Sequence, residues 1–443
     1  MEMIDIPASE FCDSVRDGTH DSPKPVEGPG RPLVTTKHMR GGRINLEDAY
    51  LISGSDFEKV NQRSQVHQWD VLISMIGTLG ELVLVKDEPT YAIKNIGLFK
   101  TKSKYDGLWL YYYLQSPKAK NHMHTSAQGS TQQYLSLKTL RGFPLSVPAS
   151  ETDKRAICEV LKTIDDKIEL NQKMNQTLEE IAKTIFKSWF VDFDPVRAKA
   201  EGRPTGLPSE ISDLFPDELV DSEIGEIPKG WEVGALGDHI ELTKGRSYKS
   251  AELMDSDTAL VTLKSFHRGG GYRLDGLKPY VGASKAEQEV CEGELIIALT
   301  DVTQAADVIG KPAIVRSSSK HSKLVASLDV GIVRANESSL LTKEFCYFLM
   351  LTERYTQHSL GYTSGTTVLH LAKDASAKFE VSIPPASLVN HFSEIASNLM
   401  KRIFIAEKES ETLSELRDTL LPKLISGELR IPDAEKFLEE AGI

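Results

Sequence analysis

The chain has 443 residues, 40% of them hydrophobic and 26% charged, a composition typical of a globular protein with two to four domains. Its net charge of −12 argues at first against a nucleic-acid partner, but residues 201–226 and 427–443 carry −7 and −3, which leaves −2 elsewhere. Four scattered cysteines exclude a zinc pattern and favour a reducing cytoplasm, and the most apolar run (71–85) is broken by glycines and Glu81, which argues against secretion and membrane spanning.

The first predicted element is a β-rich module over residues 1–148. Short apolar runs such as VLISMIG (71–77) are bounded by Gly, Pro and Asp, which is typical of strands. Basic and polar side chains cluster on DGTHDSPK (17–24), TTKHMRGGRIN (35–45) and AQGSTQQ (127–133), and such loops reach phosphates and base edges. The candidate DNA-contacting residues of this module are His20, Lys37, His38, Arg40, Arg43, Gln128, Ser130 and Thr131.

A long helix is predicted in the central region, residues 149–193, which contains LNQKMNQTLEEIAKTIFKSWFVDF (170–193). Apolar side chains recur there at alternating steps of four and three, the spacing of a coiled-coil seam. The predicted seam positions are Ile157, Leu161, Ile164, Ile168, Asn171, Asn175, Leu178 and Ile185. The two asparagines form either a buried polar layer that sets the register of two helices or a solvated face near a helix bend.

A second β-rich module is predicted over residues 226–385. GTTVLHLAKDASAKFEVSIP (365–384) repeats the plan of GSTQQYLSLKTLRGFPLSVP (129–148) at a constant offset of 236. Between the helix and this module, residues 194–225 are acidic and rich in proline, and we expect an extended linker with at most one short turn.

The second module also carries basic and polar loops, namely TKGRSYK (243–249), KSFHRGGGYR (264–273) and SGTT (364–367). Its candidate DNA-contacting residues are Lys244, Arg246, Lys264, His267, Arg268, Arg273 and Thr366. An ordinary solvated turn is the alternative for any single loop. The occurrence of a basic, Gly-rich loop in both modules favours a shared DNA-binding role.

The last region, residues 386–443, contains a second long helix and a tail, with seam positions Leu399, Leu413, Leu416 and Leu420. We expect an α+β fold in which each β-rich module is followed by a long helix. The two helices pack as an antiparallel, coiled-coil-like pair with pseudo-twofold symmetry. A helix of about 40 residues is about 60 Å long at about 1.5 Å per residue. Modules at the opposite ends of such a helix pair would suit the recognition of two short DNA sequences that are separated by a fixed gap.

Motifs of catalysis are not found in the sequence. It lacks GxxxxGK[ST], the [DNS]PP[YFW] tetrad of amino-methyltransferases, HExxH and GxSxG, which indicates that the chain is not an enzyme. The alternative function is a coiled-coil scaffold with β-rich protein-binding domains and no DNA role. A self-contained methyltransferase–nuclease would need cofactor motifs that this sequence does not contain.

Several stretches resemble those of one known family in the same order along the chain. LNQKMNQTLEEIAKTIFKSWFVDFDPVRAKAEGRPTGLP (170–208), GEIPKGW (225–231) and LRDTLLPKLISGELRI (416–431) are similar to the specificity subunit of type I restriction-modification systems. The resemblance implies a non-catalytic subunit with two target-recognition domains, 1–148 and 226–385. Each domain would read one half of a bipartite DNA site.

The resemblance also implies partners and cofactors. Two methyltransferase subunits would dock on this chain and methylate adenine N6 with S-adenosylmethionine. Two motor-nuclease subunits would use ATP and Mg to cleave unmethylated foreign DNA. No cofactor or metal is expected in this chain, and no membrane is expected as a partner. The residues implied in methyltransferase docking are Lys183, Phe186, Phe190 and Phe193. The second helix lacks the WFVDF ending of the first, so the two docking surfaces need not be equivalent.

Overall fold

The computed structural model describes residues 2–129, 133–303 and 305–443 as a mixture of strands and helices. The strands of the first module are β1 (Met3–Pro7), β2 (Ser14–Asp17), β3 (Arg31–Val34), β4 (Met39–Arg40), β5 (Arg43–Ile44), β6 (Leu51–Ile52), β7 (Val71–Ser74), β8 (Leu82–Leu84), β9 (Ala92–Ile93), β10 (Ile96–Lys100) and β11 (Pro144–Pro148). The helices up to residue 190 are α1 (Ala8–Phe11), α2 (Gly54–Ser64), α3 (Lys104–Gln115), α4 (Pro117–Ser126), α5 (Leu137–Arg141) and α6 (Glu151–Phe190).

Strands and helices continue after residue 190. The next elements are α7 (Asp194–Ala200), α8 (Ser209–Ser212), β12 (Leu219–Ser222) and β13 (Gly225–Pro228). The strands of the second module are β14 (Glu232–Ala235), β15 (Ile240–Lys244), β16 (Thr258–Val261), β17 (Lys278–Pro279), β18 (Glu289–Val290), β19 (Leu295–Ala298), β20 (Thr300–Asp301), β21 (Pro312–Ile314), β22 (Lys323–Ala326), β23 (Val330–Ala335), β24 (Thr363–Ser364), β25 (Leu369–Leu371) and β26 (Glu380–Ile383). The remaining helices are α9 (Lys343–Met350), α10 (Glu353–Gly361), α11 (Ala386–Ser426) and α12 (Ile431–Glu440).

The chain forms two compact units, and both long helices contribute to each of them. Unit 1 comprises Met1–Gln172 and Glu407–Ile443, and unit 2 comprises Lys173–Ala406. Each unit therefore contains one β-rich module, one part of α6 and one part of α11.

The central sheet of unit 1 has the strand order β2-β10-β7-β8, with antiparallel neighbours throughout. Its inner strands are short apolar runs, and residues 71–74 and 96–99 are buried, as such runs predict. The pair β1–β11 places the start of the chain beside the strand that leads into α6. A smaller group joins β3 to β6 and, in parallel, to β9.

Unit 2 repeats this topology. Its central sheet has the order β15-β23-β19-β21, its pair β14–β26 leads into α11, and β16 pairs with β17 and, in parallel, with β22. Two β-rich modules with one strand order, each followed by a long helix, confirm the predicted fold class. The pseudo-twofold relation between the two halves stays a prediction.

In unit 1 the first part of α6 and the last part of α11 pack along the predicted seam. The seam residues buried or partly buried in this core are Ile157, Leu161, Ile164, Ile168, Leu413, Leu416 and Leu420. Asp165 contacts Arg417, whereas Asn171, further along α6, contacts Glu409, which comes earlier in α11. The two segments therefore run antiparallel.

The first of the two seam asparagines, Asn171, is buried in unit 1. Asn171 is 2% exposed, and its side-chain amide donates hydrogen bonds to Glu409 Oε2 (2.7 Å) and Ser410 Oγ (3.3 Å) of α11. Lys167 forms an ion pair with the same Glu409 at 3.3 Å. Asn171 therefore belongs to a buried polar layer and not to a solvated face. A buried asparagine that is hydrogen-bonded across a helix pair penalises other alignments of the two helices. In unit 2, Asn175 is half-buried, and its Oδ1 has no hydrogen-bond partner among the described residues.

In unit 2 the last turns of α6 lie in an aromatic cluster. Phe186, Trp189 and Phe190 surround Phe392 of α11, with ring centroids 5.3–6.4 Å from that ring. The seam residues buried or partly buried in this unit are Leu178, Ile185 and Leu399.

The prediction that Phe186, Phe190 and Phe193 point outward for docking is wrong. All three are buried, because Phe345 of α9 and Trp231 of the β-rich module pack against them. They border an apolar cavity of about 400 Å³ within unit 2. The fourth docking candidate, Lys183, also borders this cavity; it is partly exposed and forms ion pairs with two glutamates of its own helix.

The segments expected to form a linker and a tail are folded. Residues 194–228 form α7, α8 and the hairpin β12–β13, and Val196 and Phe215 are buried in the core of unit 2. The expectation of an extended linker is wrong, because apolar residues between the prolines give this segment a packed face. In unit 1, Ala434 and Leu438 of α12 are buried in the core.

Candidate nucleic-acid interface

The first module carries an exposed lysine on a single helical turn. After β3, Thr35 begins a 3-10 turn over Thr36–His38. The Thr35 N–H donates to His38 Nδ1 at 2.8 Å, and the His38 N–H donates to the Thr35 carbonyl at 2.9 Å. These bonds close the turn and leave Lys37 exposed. Residues 35–38 are named the first lysine turn.

The second module has the same feature after β16, and residues 262–265 are named the second lysine turn. The Thr262 N–H donates to Ser265 Oγ at 3.3 Å, and the Ser265 N–H donates to the Thr262 carbonyl at 2.8 Å. Thr262 Oγ1 also donates to the Gly276 carbonyl at 3.3 Å. Lys264 is exposed, as Lys37 is.

The predicted DNA contact of His38 is wrong. Its side chain is 2% exposed, and its two ring nitrogens face the Thr35 N–H at 2.8 Å and the Asp48 carbonyl at 3.3 Å. Its counterpart is Ser265 rather than His267, because both side chains bond back to the threonine that begins the turn. His267 lies in the following loop and is exposed.

The first lysine turn leads into the hairpin β4–β5. Gly41 and Gly42 have φ values of 57° and 74°, and two residues with positive φ form the tight turn that fits the twist of a hairpin. Arg40 and Arg43 pair across this hairpin and are exposed. Arg43 Nη2 donates to Gln172 Oε1 of α6 at 2.8 Å, whereas Arg40 has no side-chain partner among the described residues.

The second lysine turn leads into a longer Gly-rich loop, residues 267–271. Arg268 lies 3.5 Å from Asp307, and Arg273 donates twice to Asp275, at 3.0 and 2.6 Å. The hydrogen bonds from Arg273 lower the pKa of Asp275, so this pair stays charged at mildly acidic pH. Both arginines therefore have an acidic neighbour that competes with a phosphate for their N–H donors.

The loops that precede the lysine turns differ in charge. At the end of β2, Asp17 accepts from Arg63 and contacts His20 Nε2 at 3.0 Å. At the end of β15, Lys244 occupies the matching position and is exposed. Arg246 Nε donates to a buried tyrosine hydroxyl at 3.0 Å. The carboxylate of Asp17 in unit 1 thus corresponds to the exposed ammonium group of Lys244 in unit 2.

Gln128 begins a hairpin that follows α4 in unit 1. It is exposed, and it pairs with Tyr134 across the hairpin. Gly129 follows with a φ of 98°, which favours glycine. The candidates Ser130 and Thr131 lie outside the described residues.

Thr366 lies on the matching hairpin of unit 2, β24–β25, where Ser364 pairs with His370. Gly365 has a φ of 108°, and a Cβ there would lie 2.0 Å from the Val368 carbonyl oxygen. Only glycine fits this turn. The turn leaves Thr366 exposed.

In each unit two candidate segments adjoin the same loop, which follows β7 in unit 1 and β19 in unit 2. These segments are the one that follows the lysine turn and the hairpin that carries Gln128 or Thr366. In unit 1 the Gly42 N–H donates to Glu81 at 3.3 Å, and Ile76 at the other end of this loop pairs with Tyr134. In unit 2 the Gly269 N–H donates to the Asp307 carbonyl at 2.9 Å, and β20, at the start of that loop, pairs with β25. These two candidate segments are therefore neighbours in each module.

Exposed apolar side chains beside these hairpins were missed by sequence reasoning. Ile76 and Tyr134 are 37% and 40% exposed in unit 1, and Val302, which follows β20, is 67% exposed in unit 2. Apolar groups contact thymine methyl groups or unstacked bases. No sequence signal distinguishes Ile76 from the core residues of the same apolar run, because its exposure depends on where the partner strand ends.

Each module thus presents exposed lysine, amide or hydroxyl, and apolar groups on adjoining loops. Such a set contacts phosphates and base edges of a nucleic acid. Within residues 2–129, 133–303 and 305–443, no group of three or more His, Cys, Asp or Glu side chains is placed to hold a metal ion. In the same ranges no helix is long and apolar enough to cross a membrane.

Comparison with known proteins finds similarity to one family. A model of the type I restriction modification DNA specificity domain matches residues 9–180. The specificity subunit of the type I restriction enzyme HindI from Haemophilus influenzae is 27% identical over 351 residues, 69% of this chain and 73% of its own. The MjaIX specificity subunit from Methanocaldococcus jannaschii is 26% identical over 437 residues, 92% of each chain. The crystal structure of the S subunit of a type I restriction-modification system from M. genitalium has the same fold, with a TM-score of 0.55 and 13% identity over 96% of both chains. Along most of its length this chain is therefore similar to the specificity subunits of type I restriction-modification systems.

Proposed function

We propose that this chain recognises DNA sequence for a type I restriction-modification complex and has no catalytic activity of its own. The observation that carries the proposal is the repetition, in both units, of one strand order and one exposed lysine turn beside a polar hairpin. Two equivalent modules in one chain suit a bipartite site, with one half read by each module. The similarity to type I specificity subunits supports the same function.

The proposed partners are double-stranded DNA, two methyltransferase subunits and two motor-nuclease subunits. The methyltransferase would modify adenine N6 with S-adenosylmethionine, after the adenine is flipped into its pocket. The motor-nuclease would use ATP and Mg to cleave unmethylated DNA. These cofactors belong to the partner subunits. Lys183 and the half-exposed Val191, at the rim of the cavity in unit 2, remain candidates for methyltransferase docking.

A cytoplasmic location is part of the proposal. Cys12, Cys158 and Cys346 are buried and unpaired, and burial raises the pKa of Cys12 and Cys346 to about 12. Such thiols are protonated and unreactive at neutral pH. Free cysteines of this kind suit a reducing compartment.

We also propose that α6 and α11 set the gap between the two half-sites, since the chain passes between the units within these helices. Seven residues inserted after Gln172, with seven more after Ala406, add about 10 Å of helix, or about three base pairs. The methylated motif is expected to keep both half-sites and to gain about three base pairs in its gap. An unchanged gap would contradict this role of the helices.

The experiment that tests the function is single-molecule sequencing of DNA from cells that express this chain with its methyltransferase subunit. N6-methyladenine is expected in a split motif with a fixed gap. The matched control is the methyltransferase subunit alone, which should leave that motif unmodified. A stable complex that adds no methylation would instead favour a protein-binding scaffold.

A further inference from the structure

The two lysine turns lie in segments that share four of seven residues. LVTTKHM (33–39) and LVTLKSF (260–266) are identical at Leu, Val, Thr and Lys, at a constant offset of 227. The Leu and Val residues are fully buried at the ends of β3 and β16. The threonine accepts the hydrogen bond that closes each turn. Packing and turn geometry therefore explain three of the four identities.

The fourth identity, Lys37 with Lys264, has no such explanation. Both side chains are exposed, and neither has a hydrogen bond or an ion pair with any residue that the structure describes. A solvated lysine contributes little to folding, and many other residues would serve equally at such a place. The identity therefore indicates a ligand outside the chain that both modules meet in the same way.

The backbone beside each lysine is held in place. The Asn45 N–H donates to the His38 carbonyl at 2.9 Å, and the Arg273 N–H donates to the Ser265 carbonyl at 2.8 Å. The residue after each lysine is also buried. Each ammonium group thus extends from a fixed turn into solvent, and little backbone order is lost when it binds.

The neighbouring groups differ between the modules. Arg40 of the first hairpin corresponds to His267, and Gln128 corresponds to Ser364 on the other hairpin. Side chains that read different base sequences must differ, whereas the phosphate backbone is the same in every duplex. We propose that Lys37 and Lys264 each bind a backbone phosphate of duplex DNA and position their modules without reading bases. This inference rests on the proposed function.

The test uses the complex of the full chain with its methyltransferase subunits and a duplex that carries the methylated motif. The dissociation constant is measured between about 0.05 M and about 0.2 M salt for Lys37→Gln, Lys264→Gln and the double variant. Each single variant is expected to lower the slope of log affinity against log salt by about 0.9 and to weaken binding about eightfold at about 0.1 M salt. The double variant should lower this slope by about twice as much as either single variant. The same factors are expected for a duplex in which either half-site is scrambled.

Two further variants serve as controls. Lys320→Gln removes an exposed lysine beyond the opposite end of β16, where Ser322 bonds to Asp257, and should leave the slope unchanged. Lys37→Arg keeps the charge and should retain most of the affinity. An unchanged slope in Lys37→Gln and Lys264→Gln, with specific binding by the parent complex, would overturn the inference and leave the proposed function standing. Altered base preference at one half-site would overturn it too, because it makes the lysine a base reader. A parent complex that does not discriminate its motif would reject the proposed function itself.

Discussion

In unit 1 a network of hydrogen bonds joins the β-rich module to the long helices. Tyr112 donates to Asp165 Oδ2 of α6 at 3.0 Å, and Arg417 of α11 donates to the other oxygen of this carboxylate at 2.8 Å. Burial, together with the Asp165 charge, raises the pKa of Tyr112 well above its usual value, so the phenol remains a donor. Lys86 at the edge of the central sheet forms an ion pair with Glu169 of α6 at 2.6 Å.

In unit 2 aromatic rings occupy the corresponding interface. Phe186 and Phe190 of α6 pack on Phe345 with ring centroids 5.1 and 4.9 Å away. Where unit 1 has the Lys86 ion pair, Arg316 follows β21 and stacks on Phe404 of α11 at 3.3 Å from the ring centroid. One strand order therefore tolerates two chemistries of attachment, since the strand order depends on the apolar pattern of the strands and not on the groups at the helix interface.

The difference between the units predicts different sensitivity to substitution. An aromatic ring removed from a packed cluster leaves a cavity, whereas a lost hydrogen bond at a partly exposed site is replaced in part by water.

Phe392→Ala should lower the free energy of unfolding of unit 2 by about 3–5 kcal/mol, because Phe392 lies at the centre of the aromatic cluster. Hydrogen exchange of the purified complex is expected to show faster exchange in residues 173–406 than in the rest of the chain. The matched control is Phe437→Ala, at a half-exposed phenylalanine of α12, with an expected loss below about 1 kcal/mol. Equal losses of stability in the two variants would show that the aromatic cluster does not contribute more than a half-exposed ring.

Asp165→Asn should lower the stability of unit 1 by about 2 kcal/mol, because the Tyr112 and Arg417 donors lose a charged acceptor. Faster hydrogen exchange is expected in unit 1, with unit 2 unaffected. Asp166→Asn, at the more exposed neighbouring carboxylate, should change stability by less than about 1 kcal/mol. An effect of Asp166→Asn as large as that of Asp165→Asn would show that the network is not the source of the stability.

Asn171→Ala should cost about 1 kcal/mol, because it removes the hydrogen bonds to Glu409 and Ser410. Asn171→Leu is expected to recover stability but to permit other alignments of α6 and α11, which would broaden the gap of the methylated motif. Gln176→Ala, at an exposed position of the same helix, is the control and should change neither quantity. A single unchanged gap in Asn171→Leu would argue against a register role.

Arg43→Ala should change stability by less than about 0.5 kcal/mol, because the Arg43–Gln172 hydrogen bond is exposed. It is also expected to reduce DNA affinity less than Arg40→Ala does, since the Arg40 guanidinium has no competing partner in the described chain. Titration of both variants with the motif duplex at one salt concentration measures the difference. A larger loss of affinity for Arg43→Ala would show that Arg43 leaves α6 when DNA binds.

Much of the architecture could be predicted, because local patterns carry it. The offset of 236 between GSTQQYLSLKTLRGFPLSVP and GTTVLHLAKDASAKFEVSIP corresponds to matching hairpins and to matching strands before α6 and α11. The heptad seam of α6 is buried where the spacing places it. The shorter repeat LVT-x-K at offset 227 is likewise visible in the sequence and corresponds to the two lysine turns.

The errors arose where a residue meets something distant in the chain. Phe186, Phe190 and Phe193 lie off the seam, so periodicity suggests solvent or a partner, but unit 2 covers them with its own module. Residues 194–228 have the composition of a linker, yet Phe215 packs against Trp189 with ring centroids 5.6 Å apart. Composition describes the average polarity of a segment and not the face that it presents to a core.

The repeated β-rich modules, the two long helices and the polar positions of the seam follow from the sequence alone, because strand and helix periodicity and repeated segments can be read along the chain. Which polar groups remain available to a ligand depends instead on contacts between residues that are distant in the chain. His38 is enclosed near Asp48, Arg43 bonds to Gln172, and Lys37 has no partner among the described residues. These three side chains come from one short basic stretch, and what separates them is the long-range packing that brings an acceptor to two of them and leaves the third in solvent.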